Sequence, residues 1–193
     1  MQIVLFTLAA VSIAFQSGPT EPSIGVPATT EPSKAKAAPA ITVIDEAGKT
    51  HDVAATDISR MPRQKIKTKD RQTEVEFEGV MLVDLLKSQG VAFGNDLRGA
   101  RAATVAVCEA ADGYRVPLAL LEFDPETNEK MVLIVDRRDG KPLDEKEGPF
   151  RLVIPGEKRP IRWVRMVQTI RVVYLKDLLK LHSQRGTDGQ QSK

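Results

Sequence analysis

The residues with the most chemical reach in this chain gather in one basic stretch. Lys158, Arg159, Arg162, Arg165 and Arg171 follow one another closely, with Arg151 just upstream. A guanidinium fork holds phosphate or sulfate through two parallel hydrogen bonds, and a lysine adds a point charge. An oxyanion or a phosphate-bearing ligand is what such a cluster suits. The competing reading is a solvated face whose cations pair with nearby Glu and Asp. Under the first reading Arg162 and Lys158 contact the anion, Arg159 stands in reserve, and Tyr114 or Trp163 lines the same concave site. Trp163 also has a simpler fate as a core residue, and Asp112-Gly113 read most simply as a turn.

Nucleophilic and metal chemistry has little to work with. The chain has one cysteine, Cys108, and two histidines, His51 and His182. A single cysteine forms no internal disulfide, and no zinc site can be built around it. A Ser-His-Asp or Cys-His site would need one of the two histidines, and neither sits in a pattern that suggests it. Cys108 ends the apolar run Thr104-Val105-Ala106-Val107-Cys108. A small buried core residue is therefore expected there, with a metal or redox role as the alternative. No metal ligands are assigned. There is no GxGxxG, no Walker loop and no HExxH, so ordinary dinucleotide, nucleotide and zinc-hydrolase readings lack support. With 28 Lys and Arg against 26 Asp and Glu, the net charge of +2 is too balanced to argue for nucleic acid as a partner.

The elements that must position these residues alternate short strands with turn signals. Ile41 to Ile44 and His51 to Val53 flank the turn Glu46-Ala47-Gly48-Lys49 and read as a hairpin. Thr56 or Asp57 caps a helical turn that stops at Pro62. Gln64 to Lys69 and Thr73 to Phe77 flank Asp70-Arg71-Gln72 as a second hairpin, whose lysine-rich first arm suits a protected sheet edge. Leu82, Leu85, Leu86 and Gln89 follow helical spacing up to Gly90, a natural C-cap. Ala102 to Cys108 is a buried strand that returns through Asp112-Gly113 as Tyr114 to Leu118. A short helix is expected from Leu118 to Leu121. Met131 to Val135 and Phe150 to Ile154 are further buried strands. A helical turn follows at Trp163 to Val167, then a strand at Thr169 to Val173 and a final helix at Tyr174 to Leu181. This is an α+β fold with mixed or mainly antiparallel sheets and short helices.

The N-terminal part is read as an export signal. Ile3 to Phe15 spells IVLFTLAAVSIAF, the length of a secretory apolar core and short for a membrane span. Ser12-Ile13-Ala14 offers small residues at signal-peptidase spacing, although no Lys or Arg precedes the run. Five prolines, Pro19, Pro22, Pro27, Pro32 and Pro39, make the next stretch a spacer. The expected division is a signal segment at 1–16, a Pro/Ala/Thr linker at 17–40, the folded domain at 41–176, and a helix end with a polar tail at 177–193. Roughly 135 residues is a common size for one domain with its own core. Periplasmic or secreted placement follows, with membrane contact only through an uncleaved leader.

Four segments in order carry a family resemblance. They are Phe77-Glu78-Gly79-Val80-Met81-Leu82-Val83-Asp84-Leu85-Leu86, then Asp112-Gly113-Tyr114, then Asp139-Gly140-Lys141-Pro142-Leu143, then Gly148-Pro149-Phe150-Arg151-Leu152-Val153-Ile154-Pro155-Gly156, closed by Arg162-Trp163-Val164. Together they resemble the oxidoreductase molybdopterin-binding domain family, which has the sulfite oxidase fold. The resemblance implies an α+β fold of mixed sheets, with a pterin dithiolene that holds molybdenum in a cleft. It also implies a metal-binding cysteine shortly before the segment that starts at Phe77. Lys65 to Glu76 contains none, and Thr, Gln or Glu is a poor substitute for a soft thiolate. Two functional readings stay open beside molybdenum redox chemistry. One is a non-catalytic binding module for a small anion or cofactor such as molybdopterin. The other is an interaction subunit that docks on a redox partner.

Overall fold

The computed structural model describes residues 38–175. The leader, most of the linker and the expected Tyr174 to Leu181 helix beyond Leu175 lie outside the described residues. Strands β1 (Ala40–Ile44) and β2 (Thr50–Ala54) form the first hairpin. Its turn is held by Asp45, whose carboxylate accepts from the amides of Ala47 at 3.0 Å and Lys49 at 2.9 Å. Helix α1 (Ala55–Arg60) follows at once. Its N-cap is Ala54 with no side-chain cap, not Thr56 or Asp57, because the chain leaves β2 directly into the helix. Asp57 instead lies in the first turn, where its charge suits the helix dipole.

Strands β3 (Arg63–Asp70) and β4 (Thr73–Met81) form the second hairpin. Its register sets Lys65, Lys67 and Lys69 opposite Glu78, Glu76 and Glu74. Opposite charges facing across a ladder favour this register over a slipped one. β3 is the edge of its sheet, and its exposed lysines fit the protected edge expected from sequence. Arg63 fastens the hairpin inward: its Nε donates to Glu78 Oε1 at 2.7 Å and its Nη1 to Asp136 Oδ2 at 3.2 Å. Helix α2 (Leu82–Ser88) buries Leu82, Val83, Leu85 and Leu86. It ends with Gly90 at φ +84°, the Gly90 amide donating to Lys87 O and the Val91 amide to Leu86 O. That pair of bonds is a Schellman ending, which glycine accepts without strain.

Strands β5 (Thr104–Ala110), β6 (Arg115–Ala119), β7 (Leu133–Arg138), β8 (Lys141–Pro142), β9 (Arg151–Val153) and β10 (Val167–Tyr174) complete the described residues. The first sheet has the order β2-β1-β10-β5-β6, and only its β1–β10 pairing is parallel. The second has the order β3-β4-β7-β8, with β9 also paired to β7, and is antiparallel throughout. One continuous core joins apolar residues of both sheets, including Val43, Cys108 and Ile170 with Phe77, Ile134 and Leu152.

Three expectations need correction. The expected helix at Trp163 to Val167 is a single 3-10 turn at Pro160–Arg162 instead, and Val167 already belongs to β10. Pro160 opens that turn, and Trp163 is extended, which ends it. β7 runs on to Arg138, beyond the Val135 expected, and β8 returns from it through Asp139 and Gly140, both at positive φ. The expected short helix near Leu120 is a 3-10 turn at Leu120–Glu122.

Candidate functional site

The turn Pro155-Gly156, just after β9, launches the basic stretch along the rim of the fold. Lys158 and Arg159 are exposed, and with Pro160 and Ile161 they form one wall of an open groove. The facing wall is Arg71 and Gln72, the turn of the β3–β4 hairpin. Among the described residues, Lys158, Arg159 and Arg71 form no ion pair, so their charge faces solvent.

The other residues read from sequence are placed differently. Arg162 turns away from this groove. Its Nε donates to Glu157 Oε1 at 2.8 Å and its Nη1 to Glu122 Oε2 at 3.1 Å. Lys130 Nζ reaches the same Glu122 oxygen at 2.9 Å. Burial pushes the Glu122 carboxyl up, but hydrogen bonds from Lys130 and Arg162 outweigh it and hold the group below the usual carboxylate range. The surface ion-pair reading therefore describes Arg162, and the expected contact between Arg162 and an anion is not what its geometry offers. Trp163 is buried, its Nε1 donating to Ile154 O at 2.9 Å and its ring edge-on to Phe77. It is a core residue with its polar atom satisfied. Tyr114 is 45% exposed and its Oη donates to Ile161 O at 2.6 Å. That bond braces the backbone beside the groove.

Sequence reasoning missed Arg71 and the ion cluster beneath it. Arg151 is 1% exposed, the largest fully buried side chain among the described residues. Its Nη1 donates to Asp70 Oδ2 at 2.9 Å and to Glu147 Oε1 at 2.7 Å. Its guanidinium lies 5.3 Å from both the Phe77 and Trp163 rings. Asp70 is the residue before Arg71, so this buried arginine anchors the turn that walls the groove. Arg71 itself sits at φ +60°, where glycine or asparagine is the ordinary choice. A bulky residue in that conformation is the signal that could have drawn attention to it.

Cys108 lies inside β5 and is fully buried. Burial alone pushes its thiol up to about 12, so it remains protonated near neutral pH. Cys108→Ala is expected to lower stability by about 1 kcal/mol, as for a small core truncation, and the native thiol to resist iodoacetamide until the protein unfolds. Rapid labelling of folded protein would place Cys108 at the surface and reverse this assignment.

The profile of the family described as Oxidoreductase molybdopterin binding domain matches residues 43–177. The chain belongs to that family. Among solved structures, the sulfane dehydrogenase SoxCD from Paracoccus pantotrophus is similar, with a TM-score of 0.54 and 18% identity over 69% of this chain. At that identity the likeness shows the fold alone. The chain spans 38% of the length of that protein. No curated protein matches the chain. The sulfite-oxidase-like fold expected from the four segments is thus the fold the chain has.

The residues present fit part of what a molybdopterin-binding domain holds. Lys158, Arg159 and Arg71 suit the phosphate of a pterin cofactor. They do not supply sulfur to a metal. The segment in which the family resemblance expects a thiolate, Lys65 to Glu76, is the β3–β4 hairpin with its Lys and Glu ladder. The one thiol is enclosed in the core and protonated. Among the described residues no group of three or more His, Cys, Asp or Glu is arranged to hold a metal ion.

Proposed function

We propose that this chain is an exported molybdopterin-binding-type domain that works as a binding module. It holds an anionic, phosphate-bearing ligand between the β3–β4 turn and Lys158–Ile161. It does not carry out molybdenum redox chemistry through a thiolate of its own. The observation that carries the reading is the groove itself: three cations, Arg71, Lys158 and Arg159, line it without a carboxylate partner among the described residues. Fixed cations with a shared solvent-filled space attract an oxyanion, and each charge-assisted hydrogen bond contributes about 1.5–3 kcal/mol. A phosphate-bearing pterin suits the groove by its tail, with Pro160 and Ile161 offering apolar contact beside it. The leader and proline-rich spacer support a periplasmic or secreted setting, so mature protein is expected to begin between about Phe15 and Pro22.

Calorimetric titration with phosphate tests the module, alongside molybdenum and pterin analysis of protein purified from its native compartment. Lys158→Ala is expected to weaken phosphate binding about tenfold, the loss of one charged contact, with the fold unchanged by circular dichroism. Arg162→Ala is expected to leave binding nearly unchanged, because that guanidinium is already engaged by Glu157 and Glu122. Stoichiometric molybdenum that persists in Cys108→Ala would leave the module reading standing only for the tail. An absence of phosphate binding would remove it altogether.

A further inference from the structure

The groove continues past the hairpin turn. On the far side of Arg71 and Gln72 a second arm is lined by Arg138 and Arg165, over a floor of Asp70 and Glu147. The two arms have volumes of about 530 and 470 Å³ and share Arg71 and Gln72.

Two carboxylates on the floor would ordinarily repel an anion. Here both are already met. Arg151 Nη1 pairs with Asp70 and Glu147 from below, and Arg138 Nη1 pairs with the same two at 3.4 and 3.2 Å from the side. Two guanidiniums against two carboxylates leave the buried floor close to neutral, with the exposed Asp139 3.8 Å from Arg138 Nε outside it. Arg165 is exposed and has no ion pair among the described residues. The unbalanced charge along the groove is therefore Lys158 and Arg159 in one arm, Arg165 in the other, and Arg71 at the junction.

The junction residue is also the one in an unfavourable backbone conformation. Arg71 at φ +60° occupies a position that glycine would hold without strain. A long cationic side chain kept there at the meeting point of both arms is a second observation in favour of a ligand at that point.

We propose that the groove takes a small molecule with two linked anionic groups, a diphosphate, straddling Arg71. One phosphate lies against Lys158 and Arg159 and the other against Arg165, with the uncharged remainder on Pro160 and Ile161. This rests on the anion-binding reading above and adds the second arm to it.

The test is titration of the mature chain with inorganic phosphate and with inorganic pyrophosphate at fixed ionic strength. Pyrophosphate is expected to bind at least tenfold more tightly. Arg165→Ala should remove most of that advantage and leave the phosphate Kd unchanged. Lys49→Ala, which deletes the same charge in the β1–β2 turn, should change neither. Arg71→Gly should weaken pyrophosphate binding about tenfold while raising Tm, since glycine relieves the backbone. A merely structural residue would not move those two readouts in opposite directions. Equal Kd values for the two anions, or no effect of Arg165→Ala, would overturn the two-arm proposal and leave the single-anion site standing. Tighter binding of a glutamate-rich peptide than of pyrophosphate would also overturn it, in favour of an acidic chain segment. Failure of both anions to bind would sink the underlying reading as well.

Discussion

Arg151→Ala is expected to lower the unfolding free energy by about 3 kcal/mol, the lower end of the range for breaking a buried ion pair. The side chain is buried, and both of its carboxylate partners are less than one-tenth exposed. Removing it leaves Asp70 and Glu147 with excess negative charge away from water, and leaves a void beside the Phe77 and Trp163 rings. The lower end applies because Arg138 already touches both carboxylates from the half-exposed side and keeps part of their compensation. The cause of the loss can be separated from simple cavity formation. Arg151→Met fills much of the space but not the charge, so it should remain strongly destabilised. Adding Asp70→Asn and Glu147→Gln to Arg151→Met should recover a large part of the loss, because the buried charges are then gone. Urea unfolding followed by tryptophan fluorescence reads this directly, as the lone Trp163 packs on Arg151. An Arg151→Ala loss below about 1 kcal/mol would mean that the cluster is hydrated and behaves as a surface pair.

The same cluster marks the boundary of what the sequence could disclose. Turns were legible because their chemistry is local. Gly48, Gly90, Gly113 and Gly140 all stand at positive φ, and each follows or precedes a residue pattern that announces a turn. α2 was legible because four buried residues recur at helical spacing within seven residues. The strands were found from their apolar runs, but their partners were not. β10 enters between β1 and β5, parallel to one and antiparallel to the other, and no local pattern specifies such a neighbour. The order of four motif segments supplied the fold where periodicity could not.

The candidate site was half legible for the same reason. Lys158 and Arg159 stand in a conspicuous basic stretch, and they do line the groove. Arg162 and Arg165 belong to the same stretch, yet one is bound by Glu157 and Glu122 while the other faces the second arm. Spacing alone could not assign them: Glu157, five positions from Arg162, is visible in the sequence, but Glu122, forty positions away, is not. In the sequence Arg71 reads as part of a turn and nothing more. Its place in the groove depends on Asp70 meeting Arg151, a contact across 81 positions. Arg151 reads as one more member of a cationic run, and burial, which a sequence does not print, makes it the anchor instead.

The second large effect is expected at Gly79, the glycine inside the Phe77 to Leu86 segment. Replacing glycine by alanine within a strand ordinarily stabilises by about 0.5–1 kcal/mol, through the smaller entropy loss on folding. Here the sign should reverse. Gly79 faces β7 where the register shifts between Glu78 and Gly79, and a Cβ would overlap Ile134 O and the Val135 backbone. Those atoms are main chain, so no rotamer change can make room. β7 would have to move, and β7 is the strand on which β4, β8 and β9 all pair. Its displacement would also carry Asp136 away from Arg63 and Arg138 away from Glu147. Gly79→Ala should therefore cost about 3 kcal/mol, the upper end for overpacking a well-filled interior. It should lower Tm in a calorimetric scan without changing the helical signal of α2 in isolation. Gly48→Ala serves as the comparison, since a Cβ there meets nothing and only its positive φ opposes the change. Its loss should be smaller, about 1 kcal/mol. If Gly79→Ala proves neutral or stabilising, β4 and β7 do not approach as closely as described, and the motif glycine needs a different explanation.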